Sequence, residues 1–382
     1  MPGRWRVLAL LFAVRATMAL QFQSVAALTP LLAREFGVDL ADIGLLIGLY
    51  LAPGIALALP GGAIGKRVGD KPVVLAGLGM MLCGGLVMAL GSSWEAQLTG
   101  RLLAGVGGVL LNVIMSKMVT DWFAGKEIAT AMAIFVNSWP FGIALALVVL
   151  PPIATALGIS AAYLCATAAV AGGLVALAAL YRAPVLDGAV PIMAAWPTGK
   201  ALAAIVVAGL IWGLYNASFG MIFSFGPALL TERSWSLSAA SSITSIVLWL
   251  TVISVPLGGF IADRTGTHGA MLVGGCLAFA VLLFWAARTE AAITAFVALG
   301  LVSGLSAGSI MSLPARVLAQ ETRAAGMGIF FALFYLCVVI APWVGGTMAS
   351  AAGTSSITFD LGAAMLLACC ACAWLFARIA RT

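Results

Sequence analysis

Charge is what this chain has least of. Only 8% of its 382 residues are Asp, Glu, Lys or Arg, and His268 is the only histidine. A water-soluble fold of this length could not cover its surface with so few charges. Apolar residues fill 63% of positions, against about 45–50% in an ordinary soluble domain, and the mean hydropathy is +1.15. A bilayer supplies the missing apolar solvent, so composition alone points to membrane integration. One histidine excludes a histidine-built metal centre. The seven cysteines all fall inside apolar runs and read as small packing residues; Cys369, Cys370 and Cys372 point to different sides of a helix, poor geometry for one metal. No nucleophile–base pair, metal set or nucleotide-binding loop is present, so neither an enzyme nor a cofactor is expected. The excess of basic residues lies in short loops rather than on one face, which argues against nucleic acid as a partner.

What is abundant is long apolar runs. A bilayer span needs about 20 such residues. Gly, Pro and charged clusters divide the chain into twelve, at 7–33, 43–64, 72–91, 96–119, 128–152, 159–180, 201–230, 238–261, 270–287, 291–313, 325–350 and 359–377. The first resembles a signal peptide, but Arg15 interrupts its apolar core and the run continues to Leu32, so an uncleaved span is expected. Span five holds Pro140, Pro151 and Pro152, and span eleven Pro342; neighbouring helices can satisfy the carbonyls that proline frees. Both termini, the central join and the loops that carry Lys66, Arg67, Lys71, Arg264 and Arg316 gather most of the basic residues. The opposite side carries Arg34, Arg233 and Arg288. The positive-inside bias therefore predicts an inner-membrane protein with both termini cytoplasmic.

The chain repeats itself. GGAIGKRVG at 61–69 answers GGFIADRTG at 258–266, 197 residues on, and at the same offset Pro30 answers Pro227. AMAIF at 131–135 answers GMGIF at 326–330, at an offset of 195. The expected fold is thus an all-α membrane protein of twelve transmembrane helices in two parallel six-helix repeats: a bundle at 1–180, a cytoplasmic linker at 181–200 and a bundle at 201–382. Repeats of this kind place solute sites near the bilayer midplane.

These residues carry a family resemblance. The second loop, with Gly259, Asp263, Arg264 and Gly266, is similar to the major facilitator signature Gly-x-x-x-Asp-Arg-x-Gly. The first copy has Gly62, Arg67 and Gly69, but Lys66 stands where the aspartate belongs. Arg101, Gly105 and Gly107 on span four resemble the family's second signature. The resemblance implies the major facilitator fold and alternating access, with the two loops as gates that hold the cytoplasmic side closed. Asp263 and Arg264 suit such a latch; Lys66 does not, and Asp70 stands ready to substitute. The alternative is that both loops are only topology signals.

Ionisable groups inside spans are costly and mark function by default. Arg15 on span one and Arg101 on span four are the two, while Lys117 lies near enough to its helix end to snorkel. No Asp or Glu lies well inside a span. Buried cations without internal anions favour an anionic solute that neutralises them, and arginine's planar fork suits carboxylate, nitrate-like or phosphate oxygens. On a helical wheel Gln23 lies about 80° from Arg15, and Gly105, Gly108 and Asn112 fall within about 40° of Arg101. Asn137, Tyr215, Asn216 and Tyr335 complete the expected polar site, with Trp212 standing where the repeat would place a second Arg15. Each of these has a plainer reading as a helix-packing or carbonyl-bonding group. Asn112 to Phe123 and Ala131 to Phe135 resemble the cyanate permease-type branch, which handles small anions. The expectation is a monomeric secondary transporter of a small inorganic or organic anion, by exchange or coupled to a proton or counter-anion. The alternatives are proton-coupled efflux of an amphiphilic or cationic compound, and a transporter-like receptor without turnover.

Overall fold

The computed structural model describes residues 3–57, 69–123, 128–183, 196–319 and 321–381. Among them, twelve helices are long and apolar enough to cross a bilayer, and no strand occurs. They run Arg4–Ala27, Leu40–Leu57, Asp70–Leu90, Trp94–Trp122, Ile134–Leu157, Ile159–Leu180, Gly199–Glu232, Leu237–Thr265, His268–Ala286, Ala292–Arg316, Ala325–Ala352 and Ser356–Ala380. These are spans one to twelve. The chain is a multi-pass membrane protein.

Four spans depart from simple helices. Span one ends at Ala27 rather than running to residue 33, and a separate helix, Thr29–Phe36, follows. Span two is interrupted between Leu49 and Pro53, because a proline cannot donate the amide that would continue the helix. Span five is two pieces, Ile128–Val136 and Ser138–Leu157. Span ten breaks after Ser303, resumes over Ala307–Met311 and ends in a 3₁₀ turn at Pro314–Arg316.

The repeat is written into the backbone. Gly37 and Ser234, 197 positions apart, both take positive φ (63° and 67°), as do Gly69 and Gly266 at the same offset (96° and 67°). Gly158 and Gly353 form a third pair at 195 (92° and 68°). Caps repeat too: Asp39 Oδ1 accepts the Asp42 amide at 3.0 Å before span two, and Ser236 Oγ accepts the Ala239 amide at 3.3 Å before span eight. Each satisfies an amide that the first helical turn leaves without a partner.

The chain packs as two compact units, Met1–Phe36 with Leu49–Pro191, and Gly37–Gly48 with Ile192–Thr382. In the first, spans three and four meet backbone to backbone: a Cβ on Gly77 would lie 2.7 Å from the Gly107 carbonyl oxygen, and one on Gly100 would lie 2.6 Å from that of Gly84. Apolar transfer cannot drive association inside lipid, so such close approach supplies dispersion contact instead. In the second unit Ser254 Oγ donates to the Gly300 carbonyl at 2.9 Å, joining spans eight and ten, and Gly44 and Gly48 lie where a Cβ would collide with the Pro342 and Val339 carbonyls.

Candidate functional site

Arg15 lies midway along span one and is 9% exposed. Its Nε donates to Asn112 Oδ1 of span four at 2.9 Å. Its Nη1 faces the Phe135 and Val136 carbonyls, each at 3.1 Å, and Ser138 Oγ at 3.2 Å. The guanidinium carbon stands 4.8 Å from the Phe135 ring centroid and 5.9 Å from that of Trp139. Apart from the bond to Asn112, these contacts converge on the interruption of span five. Pro140 explains the interruption: in an unbroken helix residue 140 would donate to Val136, and proline has no N–H to give. Arg15 and Ser138, whose hydroxyl donates to the Phe135 carbonyl at 2.6 Å, serve the carbonyls there.

Asn137 was expected inside a helix; it is instead the hinge residue between the two pieces, half-buried. Ser138 and Trp139 were not singled out by the sequence, since neither carries charge and a lone serine in an apolar run is usually packing.

Arg101 is fully enclosed. Its Nη1 and Nη2 donate to the Gln21 and Phe22 carbonyls of span one at 3.2 and 2.7 Å, and its guanidinium faces the Tyr50 ring at 4.6 Å. The stripe expected on its face exists, with a specific use. Gly105 receives the Tyr50 backbone, Gly108 lies against the Tyr50 ring, and Asn112 at the far end receives Arg15. Gln21, also missed in the sequence, is buried, donates to the Met81 carbonyl at 2.8 Å and accepts from the Tyr50 hydroxyl at 3.4 Å. Gln23 is completely buried two residues on.

In the second unit Tyr215 donates its hydroxyl to the Ser303 carbonyl, where span ten breaks. Asn216 Nδ2 donates to Trp212 of its own helix at 2.8 Å. Tyr335 is buried, its ring edge on Phe334 at 5.1 Å. Trp212 stacks with Phe330 and with Phe334, both at 6.3 Å. Phe330 and Phe334 are the repeat counterparts of Phe135 and Trp139, so each unit sets one residue, Arg15 or Trp212, against two rings. The first unit's cation–ring contact becomes ring stacking in the second.

Of the gate residues, Gly62, Lys66 and Arg67 lie outside the described residues. Gly69 turns the chain into span three, and Asp70 pairs with Lys117 at 2.6 Å. Lys117 also meets Asp121 at 2.8 Å, so it is held in a carboxylate pair rather than snorkelling alone. Lys71 donates to the Tyr181 carbonyl at 2.9 Å beside this cluster, and burial pushes the Tyr181 phenol above its ordinary pKa. In the second copy Asp263 is exposed and lies 3.5 Å from His268, Arg264 stands 5.7 Å from the Phe260 ring, Gly259 is half-buried, and Gly266 closes span eight in the left-handed conformation. Among the described residues no group of His, Cys, Asp and Glu has metal-binding geometry.

The family profile described as Major Facilitator Superfamily matches residues 11–214 and 201–382. The chain belongs to the Major Facilitator Superfamily. This is a family of membrane transporters for small solutes. Among its relatives is the inner membrane transport protein YajR of Escherichia coli (strain K12), 27% identical over a stretch that covers 59% of this chain and 44% of YajR. The 4-hydroxybenzoate transporter PcaK of Pseudomonas aeruginosa is 23% identical across 91% of this chain and 86% of its own length. A crystal structure of a bacterial homolog to the human lysosomal transporter Spinster shares the fold, with a TM-score of 0.80, 16% identity, and coverage of 99% of this chain and 98% of that one.

Proposed function

We propose that this member carries a small anion across the inner membrane by alternating access, and that Arg15 is the group that recognises the charge. The observation that supports this best is the setting of Arg15: a guanidinium at mid-span, on two aromatic rings, bonded to Asn112 and to backbone carbonyls. Among the described residues all carboxylates lie at or near helix ends or in loops, none at mid-span. A desolvated cation of this kind favours a ligand that brings its own negative charge. PcaK, similar along most of this chain, is a transporter of a carboxylate, and the likeness of span four and its exit to the cyanate permease-type branch points the same way. Asn112 orients Arg15, and the half-buried Asn137 and Trp139 stand beside it. Arg101 is read as a brace rather than a ligand, because its guanidinium is enclosed and committed to span one.

The second reading, proton-coupled efflux of amphiphilic or cationic compounds, draws on the aromatic wall of Trp212, Phe330 and Phe334. It calls for a titratable carboxylate in the membrane interior, and the sequence has none there.

The test is uptake into liposomes that hold the purified protein, with labelled 4-hydroxybenzoate, nitrate and phosphate and with a lipophilic cation, under imposed pH gradients and with trapped counter-anion. The reading expects uptake or exchange of at least one anion. It expects Arg15→Gln to abolish that flux in protein that remains folded. Movement of only the cation against protons would replace this reading with the second one.

A further inference from the structure

Span five is broken where its repeat counterpart is continuous, and residues 136–140 at the break all differ from their counterparts 331–335. Pro140 corresponds to Tyr335, and span eleven runs through that point without interruption as part of Arg323–Ala352. Arg15 corresponds to Trp212, while the two rings beneath them are kept. So within one molecule the proline and the cation occur together, and the intact helix goes with an aromatic. Chemistry connects them. Pro140 takes away the N–H that Val136 would receive, and Arg15 Nη1 reaches that carbonyl at 3.1 Å. Meanwhile Asn137 keeps a near-helical backbone, at φ −65° and ψ −13°, and the next amide bond, Phe141 to Asn137, is already made at 3.2 Å. The interruption is therefore a missing donor more than a change of direction, and little backbone motion separates the broken from the continuous form.

We propose that this break is a ligand-responsive joint: the solute anion and the Val136 carbonyl compete for Arg15. With the site empty, Arg15 stands in for the missing amide. An arriving anion draws the guanidinium away, the Val136 carbonyl loses its donor, and the Ile128–Val136 piece is loosened from Ser138–Leu157. Binding is thereby converted into a change in the coupling of two helix pieces, the kind of differential contact that a ligand needs to shift a conformational equilibrium. Ser138 keeps the Phe135 carbonyl bonded in both forms through its own hydroxyl at 2.6 Å, so of the two backbone carbonyls that Arg15 serves only Val136 loses its donor. This inference rests on the reading of Arg15 as the anion's ligand.

The deciding variant is Pro140→Ala, which returns an N–H to the Val136 carbonyl and so removes the competitor. Binding of 4-hydroxybenzoate, nitrate and phosphate is measured on the full chain in lipid nanodiscs, beside hydrogen–deuterium exchange of residues 134–142. In wild type, the anion that binds should raise exchange in that segment. Pro140→Ala should bind the same anion about tenfold more tightly, since a hydrogen bond to a charged group no longer has to be given up; its exchange should not respond, and its maximal uptake rate should fall. Pro140→Ser serves if the alanine variant is not recovered folded. Anion binding in wild type with unchanged exchange, or equal or weaker binding in Pro140→Ala, overturns the joint and leaves the anion reading standing. Normal binding by Arg15→Gln, or binding of none of the three anions by wild type, overturns the anion reading and the joint together.

Discussion

Two arginines sit within the membrane, and their surroundings separate their roles. Arg101 has its charge spread over two carbonyls and two rings, with no exposure. The carbonyls it meets lie within span one, ahead of its last four residues, and keep their own helical donors, so its loss removes interhelical bonds without creating orphans. Arg101→Leu should cost about 1–2 kcal/mol, the scale of interhelical hydrogen bonds in membranes. The expected signature is a lower thermal unfolding temperature with unchanged solute affinity in the folded fraction. Unchanged stability with lost affinity would return Arg101 to the solute site. Both arginines, and Asn112 beside the first, were legible in the sequence because charge and amides are rare against an apolar background. Their partners were not. Gln21, Ser138 and Trp139 become visible only when spans one, two, four and five are brought together, and which carbonyl an arginine will find is a property of packing rather than of spacing.

Two interrupted helices meet candidate-site residues: span five at Arg15 and span ten at Tyr215. The sequence marks proline positions, but it does not say which of them break a span. Pro151 and Pro152 lie inside a continuous helix, as do Pro227, Pro256 and Pro342, whereas Pro53 and Pro140 accompany interruptions. At Pro140 the freed Val136 carbonyl is taken by Arg15, and span boundaries read from hydropathy carry no such information. Span ten breaks at Gly304 with no proline at all, beside the Tyr215–Ser303 bond and a 3.0 Å contact between the Thr251 and Ser303 hydroxyls. The turns repeat more faithfully than the helices. Ser234 holds the left-handed conformation that its counterpart Gly37 adopts without steric cost. Ser234→Gly should therefore raise stability by up to about 1 kcal/mol, measured as a higher unfolding temperature; a loss of stability would mean that the serine side chain contributes more than its strain costs.

For the whole molecule, composition, span count and the repeat were legible before any coordinates, because a bilayer imposes length and apolarity on every crossing helix. The signatures at Arg101 and at Asp263–Arg264 pointed to the superfamily whose profile matches the chain. Less legible was the grouping of Gly37–Gly48 with the second unit, which depends on glycine-to-carbonyl contacts at Gly44 and Gly48 that no pattern announces. The basic-residue bias further predicts that reporter fusions at both ends will be active only on the cytoplasmic side; a periplasmic reporter at either end would contradict it. The central claim concerns charge, and a matched pair of solutes isolates it. Reconstituted wild type should take up labelled 4-hydroxybenzoate, or another carboxylate identified in the anion panel, and should ignore its neutral amide of the same shape. Arg15→Gln should lose the carboxylate flux, and the unlabelled amide should not compete with it. Equal transport of acid and amide, by wild type or by Arg15→Gln, would contradict the account.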